Sequence, residues 1–95
     1  MTDEDKLKRK CGKWLKENPD ENRWHYAATD KYYSGIPDFI FCIQGLFVSI
    51  ELKTPKGVVS KIQNWTLDQI VRAGGKGLVI RSFEEFVITV KALQQ

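Results

Sequence analysis

Pro37-Asp-Phe-Ile-Phe-Cys-Ile43, then Gln44-Gly45, then Leu46-Phe-Val-Ser-Ile-Glu-Leu-Lys53 is the stretch that decides the fold. The first run is apolar almost throughout and reads as a strand. Gln44-Gly45 reads as a turn, and the second run reads as the returning strand of a β-hairpin. In the second run the side chains alternate. Leu46, Val48, Ile50 and Leu52 share one face and are assigned to the core. Phe47, Ser49, Glu51 and Lys53 share the other, which changes from apolar to charged along the strand. The twelve residues between Asp38 and Glu51 bring a carboxylate at the start of one strand to another near the end of the next. Lys53, two residues after Glu51, points to the same face. Two acids and a lysine on one sheet face suit a hard divalent cation and a hydrolytic water.

Working outward, Thr2 is placed to cap a first helix, with Asp3, Glu4 and Asp5 in its opening turn, favourable for the helix dipole. Leu7, Cys11, Trp14 and Leu15 form its apolar stripe. Asn18-Pro19 ends it, because the residue before proline avoids helical angles. Arg23 to Thr29 reads as a strand and Asp30 to Gly35 as a loop. After the hairpin, Thr54 to Val59 is a loop containing Pro55 and Gly57. Ser60-Lys-Ile-Gln63 has the form of a capping box opening a second helix, whose buried side is read as Ile62, Trp65, Ile70 and Val71. Gly74-Gly75 stops that helix. Gly77 to Arg81 is a short buried strand, and Ser82 with Glu85 opens a last helix carrying Phe86, Val87, Val90 and Leu93 as a second capping box. The order is α-β-β-β-α-β-α. A helix joining the third and fourth strands implies an α/β fold with a mixed β-sheet flanked by helices and a right-handed crossover.

Ninety-five residues, 42% hydrophobic and 28% charged, make one globular domain spanning 1–95, with a modest core that dimerisation would supplement. The net charge of +3 is mild. Lys6, Lys8, Arg9, Lys10, Lys13 and Lys16 nevertheless crowd the first helix, a pattern suited to a phosphate backbone and equally to a solvated helix face. Cys11 and Cys42 read as small core residues, with neither a disulfide framework nor zinc-ligand spacing. There is no apolar run of membrane-spanning length and no recognisable signal peptide, so the expected location is the cytoplasm.

Asp38 and Glu51 offer oxygen ligands for Mg²⁺ or Mn²⁺, and the Leu52 carbonyl lies between Glu51 and Lys53 as a further oxygen. Lys53 is placed to orient or deprotonate an attacking water, or to neutralise a phosphate. Glu4 is a candidate third acid if the first helix packs near the strand ends, although its place in the first turn explains it equally well. Gln63 is already accounted for as a helix cap. Nucleic-acid contacts are expected from Lys8, Lys13, Tyr33, Lys56, Ser60 and Lys61. Tyr32 and Tyr33, ahead of the site, suit base stacking or simple packing. His25 stands alone and reads as a strand-surface residue.

Gly35-Ile-Pro-Asp38, Ile50-Glu-Leu-Lys-Thr-Pro-Lys-Gly57, Ser60-Lys-Ile-Gln63 and Gly74-Gly75 together resemble the VRR-NUC (virus-type replication–repair nuclease) family of the PD-(D/E)xK superfamily. The likeness runs from roughly Glu4 to Phe86. It implies a restriction-endonuclease-like core, with Asp38 and Glu51 as metal ligands, Lys53 as the catalytic lysine and Gln63 as an active-site helix residue. It places the first-helix acid at Glu4, with Asp3 and Asp5 as neighbouring registers. Small members of this kind look like those encoded by phages. They are similar in fold to Holliday-junction resolvases and tend to form homodimers on branched DNA. The implied activity is metal-dependent cleavage of DNA. A flap-cutting or nicking nuclease with the same site, and a non-catalytic nucleic-acid-binding module, are the alternatives.

Overall fold

The computed structural model describes residues 1–29 and 34–95, so Tyr32 and Tyr33 lie outside the described residues. The elements follow as α1 (Asp3–Glu17), β1 (Arg23–Ala27), β2 (Phe39–Ile43), β3 (Leu46–Leu52), α2 (Lys61–Arg72), β4 (Lys76–Ile80) and α3 (Phe83–Gln94). This is the order expected from the sequence.

The hairpin turns on Gln44 and Gly45, whose φ angles are 50° and 81°. Two successive left-handed residues match the twist of the flanking strands, and glycine adopts that region without a Cβ penalty. Gln44 is held there by its N–H, which donates to the Asn22 carbonyl at 2.9 Å, and by its side-chain amide, which donates to the Gln94 carbonyl at 2.6 Å. The antiparallel register runs from Ile43 opposite Leu46 to Phe39 opposite Ile50. Asp38 therefore stands one rung beyond the strand, level with Glu51. β1 adds antiparallel to β2, and β4 adds parallel to β3, giving a mixed sheet in the order β1-β2-β3-β4.

One face of this sheet makes the core. Phe39, Phe41, Ile43, Val48, Ile50, Leu52 and Ile80 meet Cys11 and Leu15 of α1 and Phe86 and Val90 of α3. Phe86 lies 5.5 Å from Phe39 and edge-on to Trp14 at 6.2 Å, centroid to centroid. Burying a side chain of this size contributes about 1.5–3 kcal/mol. α1 begins with a reciprocal cap between Thr2 and Asp5 and ends at Asn18. The Arg23 guanidinium donates to the carbonyls of Leu15 and Asn18, both at 2.9 Å, and to Gln94 Oε1 at 2.6 Å. It thereby joins the last turn of α1 to the end of α3.

Several expectations are corrected. Cys11 is buried, but Cys42 is exposed. Its neighbours Phe41 and Ile43 point into the core, so strand alternation turns Cys42 outward. The row opposite the core carries Trp24, Cys42 and Phe47 across β1, β2 and β3. Trp24 and Phe47 are exposed on it. His25 sits across from Phe41 on the inner face, half-buried, with ring centroids 6.0 Å apart. The second face of β3 is not a surface either. Ser49 and Glu51 are buried, because α2 lies over β3 and β4.

α2 is rotated from its expected orientation, and of the residues expected on its buried side Ile70 alone keeps an inward place. Ile62, Trp65 and Val71 are exposed, whereas Leu67 is buried and Gln63, Thr66 and Ile70 are partly covered. The inward stripe is therefore Gln63, Thr66/Leu67 and Ile70, a helical repeat that begins with a polar residue. The helix comes down on Gly77, where a Cβ would stand 2.8 Å from the Leu67 carbonyl oxygen. In α3, Ser82 accepts from the Glu85 N–H as expected. The Glu85 carboxylate accepts instead from the Arg81 N–H at 2.8 Å, so the second half of that capping box is made one residue upstream.

Candidate active site

Asp38 is set by the approach to β2. The Ala28 N–H donates to the Asp38 carbonyl at 2.9 Å, which extends the β1–β2 pairing by one step. Its carboxylate is buried and turns toward β3, where Oδ2 accepts from the Leu52 N–H at 2.8 Å. Oδ1 faces the Lys8 ammonium at 3.4 Å. Lys8 comes from α1 and also donates to the Ala28 carbonyl at 2.6 Å.

Glu51 is 3% exposed, which makes it a deeply buried acid among β3, α2 and the start of α1. Its Oε2 accepts from Gln63 Nε2 at 2.9 Å and lies 3.9 Å from Lys53 Nζ. Gln63 is held at both ends of its amide. Its Oε1 accepts from the Ser60 N–H at 2.9 Å, and the Gln63 backbone N–H donates to Ser60 Oγ at 3.2 Å. One side chain thus caps α2 and steadies the carboxylate, which is why a polar residue occupies an inward position of the helix.

Lys53 follows the end of β3, where its N–H donates to the Ile80 carbonyl at 3.0 Å. Its ammonium lies 3.3 Å from Glu4 Oε1. Of the acids in the first turn of α1, Glu4 reaches Lys53, while Asp5 is engaged with the Thr2 cap. The Thr2 hydrogen bonds hold the Asp5 carboxyl below its ordinary range.

These side chains surround one cavity of about 140 Å³, lined by Glu4, Asp5, Lys8, Asp38, Glu51, Lys53 and Gln63. A larger hollow of about 580 Å³ lies beside it and shares Asp5 and Lys8, but its lining is mostly apolar and includes neither Glu51 nor Lys53. Acids and ammoniums meet in the smaller cavity. Lys13, Lys56, Ser60 and Lys61 do not line it. All four are exposed; Ser60 is the cap of α2, and Lys61 borders a separate shallow hollow with Ile62 and Trp65. Tyr33 is outside the described residues.

Among the described residues, no three His, Cys, Asp or Glu side chains are close enough together to hold a metal ion. Asp38 and Glu51 form a two-carboxylate set, and Glu4 is turned to Lys53. Two buried hard-oxygen donors beside an open cavity fit Mg²⁺ or Mn²⁺, ions that take one or two carboxylates and fill the remaining positions with water and phosphate oxygens.

Two contacts here had no signal in the sequence. Lys8 is expected from the sequence as a nucleic-acid contact, but only the docking of α1 brings it to Asp38. Arg81 donates to the carbonyls of Thr54 at 2.8 Å and Gly57 at 2.7 Å, fastening the loop that follows Lys53. The parallel pairing of β3 with β4, which places Arg81 beside this loop, would have been needed to find it.

Neither a family model nor a curated protein matches the sequence. Among solved structures, a VRR_NUC domain superposes with a TM-score of 0.72, covering 96% of this chain and 97% of that one at 15% sequence identity. At that identity the likeness is one of architecture, and the mixed sheet with its flanking helices is what the two have in common. The chain has the fold of a VRR_NUC domain.

Proposed function

We propose that this chain is a divalent-metal-dependent nuclease that hydrolyses phosphodiester bonds in DNA. The observation that carries the reading is the convergence of Asp38, Glu51, Lys53 and Gln63 on one small cavity, with Glu4 reaching Lys53 from α1. The resemblance of a solved VRR_NUC domain in fold supports it.

Asp38 and Glu51 would hold Mg²⁺ or Mn²⁺, with the Leu52 carbonyl as the adjacent oxygen. The bound ion supplies Lewis-acid stabilisation of the phosphate charge and an acidified water. The chain's own groups do the rest. The Leu52 N–H fixes one oxygen of Asp38, and Gln63 fixes one oxygen of Glu51, so both carboxylates are oriented before substrate arrives. Lys53, near both Glu51 and Glu4, orients the attacking water and offsets charge on the phosphate. Glu4 keeps that ammonium at the mouth of the cavity.

We infer further that the enzyme prefers branched DNA such as a four-way junction and works as a homodimer, which would present two sites to two strands. Trp24, Tyr26 and Phe47 support the dimer. They are 63%, 49% and 45% exposed on the part of the outer sheet face that α2 leaves open, an aromatic patch beside Cys42 suited to a second copy and unsuited to phosphate.

The test is a panel of single-stranded, duplex, flap and four-way DNAs with Mg²⁺ or Mn²⁺, run beside Asp38→Ala. Metal-dependent cutting, fastest on branched substrates and lost in the variant, is the expected result. Binding without cutting on every substrate would replace the enzyme with a nucleic-acid-binding module.

A further inference from the structure

Each buried carboxylate of the cavity has its own ammonium. Glu51 has Lys53, whose other partner is Glu4. Asp38 has Lys8, one helical turn after Glu4 on the same face of α1. The sequence motif contains the first pair and not the second.

The Lys8 geometry is specific. Its Nζ donates to the Ala28 carbonyl at 2.6 Å and stands 3.4 Å from Asp38 Oδ1. Ala28 and Asp38 are both buried, while the Lys8 side chain is 23% exposed at the cavity wall. The opposite oxygen of Asp38 is fixed by the backbone of β3. The carboxylate is therefore held still, and the ammonium covers the oxygen left for a ligand.

Burying a carboxylate without a counter-charge is costly, so Lys8 satisfies Asp38 when no cation is bound. A divalent cation and an ammonium on the same oxygen repel one another. One must leave, and the lysine has a flexible four-carbon stem and an open side. Lys8 lines the cavity that a phosphate would enter, so a displaced ammonium stays within reach of that anion.

We propose that Lys8 is the resident counter-ion of Asp38, displaced by the metal and thereby released to a phosphate of the nucleic acid. Metal and DNA then bind with positive coupling, each favouring the other through one lysine. This rests on the reading of Asp38 as a metal ligand. A lysine that merely pinned α1 to the end of β1 would need only the Ala28 carbonyl.

The experiment is calorimetric titration of Mn²⁺ into the wild-type protein, Lys8→Met, Lys8→Gln and Asp38→Ala. It is paired with DNA affinity measured with and without Ca²⁺ as the probe cation. Gln retains a donor for Ala28 without the charge, so it separates pinning from counter-ion duty. Both Lys8 variants are expected to bind Mn²⁺ roughly tenfold more tightly, and to lose most of the gain in DNA affinity that the cation gives the wild type. Equal or weaker Mn²⁺ binding by a folded Lys8→Gln, with the DNA gain intact, would overturn the proposal and leave Asp38 as a ligand. Mn²⁺ binding unchanged in Asp38→Ala, or absent from the wild type, would overturn the ligand assignment itself and the proposal with it.

Discussion

Lys53 is bracketed by two acids, Glu4 at 3.3 Å and Glu51 at 3.9 Å, and this fixes where its charge can act. Losing one preorganised donor from a water-poor site lowers turnover by about 10²–10³. Lys53→Ala is expected to fall by that much in single-turnover cleavage while keeping its melting temperature within a few degrees. His25 gives a different readout. Burial first, then the positive charges of Arg23 and Lys16, push its pKa below the ordinary 6.5. The folded chain therefore keeps His25 neutral where the unfolded chain takes up a proton. Its contribution to stability is complete above about pH 6.5 and is lost as pH falls from there toward the lowered folded value. Melting temperature measured between about pH 7.5 and 5.5 should drop more for the wild type than for His25→Leu. Parallel curves would remove His25 as a cause. Burial also pushes the Cys11 thiol up to about 12, so it is a packing residue and inert as a nucleophile.

At the scale of elements, the hairpin and the caps were legible because their causes are local. Gln44-Gly45 dictates its turn, and Thr2, Ser60 and Ser82 mark their helix starts within four residues of sequence. The rotation of α2 was not legible. Apolar periodicity pointed to Ile62 and Trp65, but docking is decided by what lies beneath, and β4 offers a bare glycine at 77 under Leu67. A Cβ there would come within 2.8 Å of helix backbone, which cannot move aside as a side-chain tip can. Gly77→Ala is expected to destabilise the fold by about 1–3 kcal/mol and to weaken cleavage through Gln63, measured by chemical denaturation and by activity below the melting point. Gln63→Ala should cost about 1 kcal/mol from the lost cap and, separately, lower activity by loosening Glu51. Full activity in that variant would reduce Gln63 to a cap alone.

For the whole molecule, the mixed sheet with helices on its faces followed from the element order, and so did the meeting of Asp38 with Glu51. The environment of those acids did not. Lys8 and Arg81 arrive through helix docking and parallel pairing, contacts that sequence spacing does not encode. Cys42 was misassigned because an apolar strand gives no sign of which face stays uncovered. That uncovered face predicts assembly: Trp24→Glu should convert a dimer to a monomer in sedimentation, with the fold unchanged by circular dichroism. A wild-type monomer would set the dimer aside. The central claim, that Asp38, Glu51 and Lys53 form a metal-dependent phosphodiesterase site, is tested most directly by single-turnover cleavage of four-way DNA in Mn²⁺, wild type against Glu51→Gln. The account predicts cutting by the wild type, abolished by chelation, and a loss of at least about 10² in the variant. Equal rates for the two proteins, or no cleavage by the wild type, would contradict it.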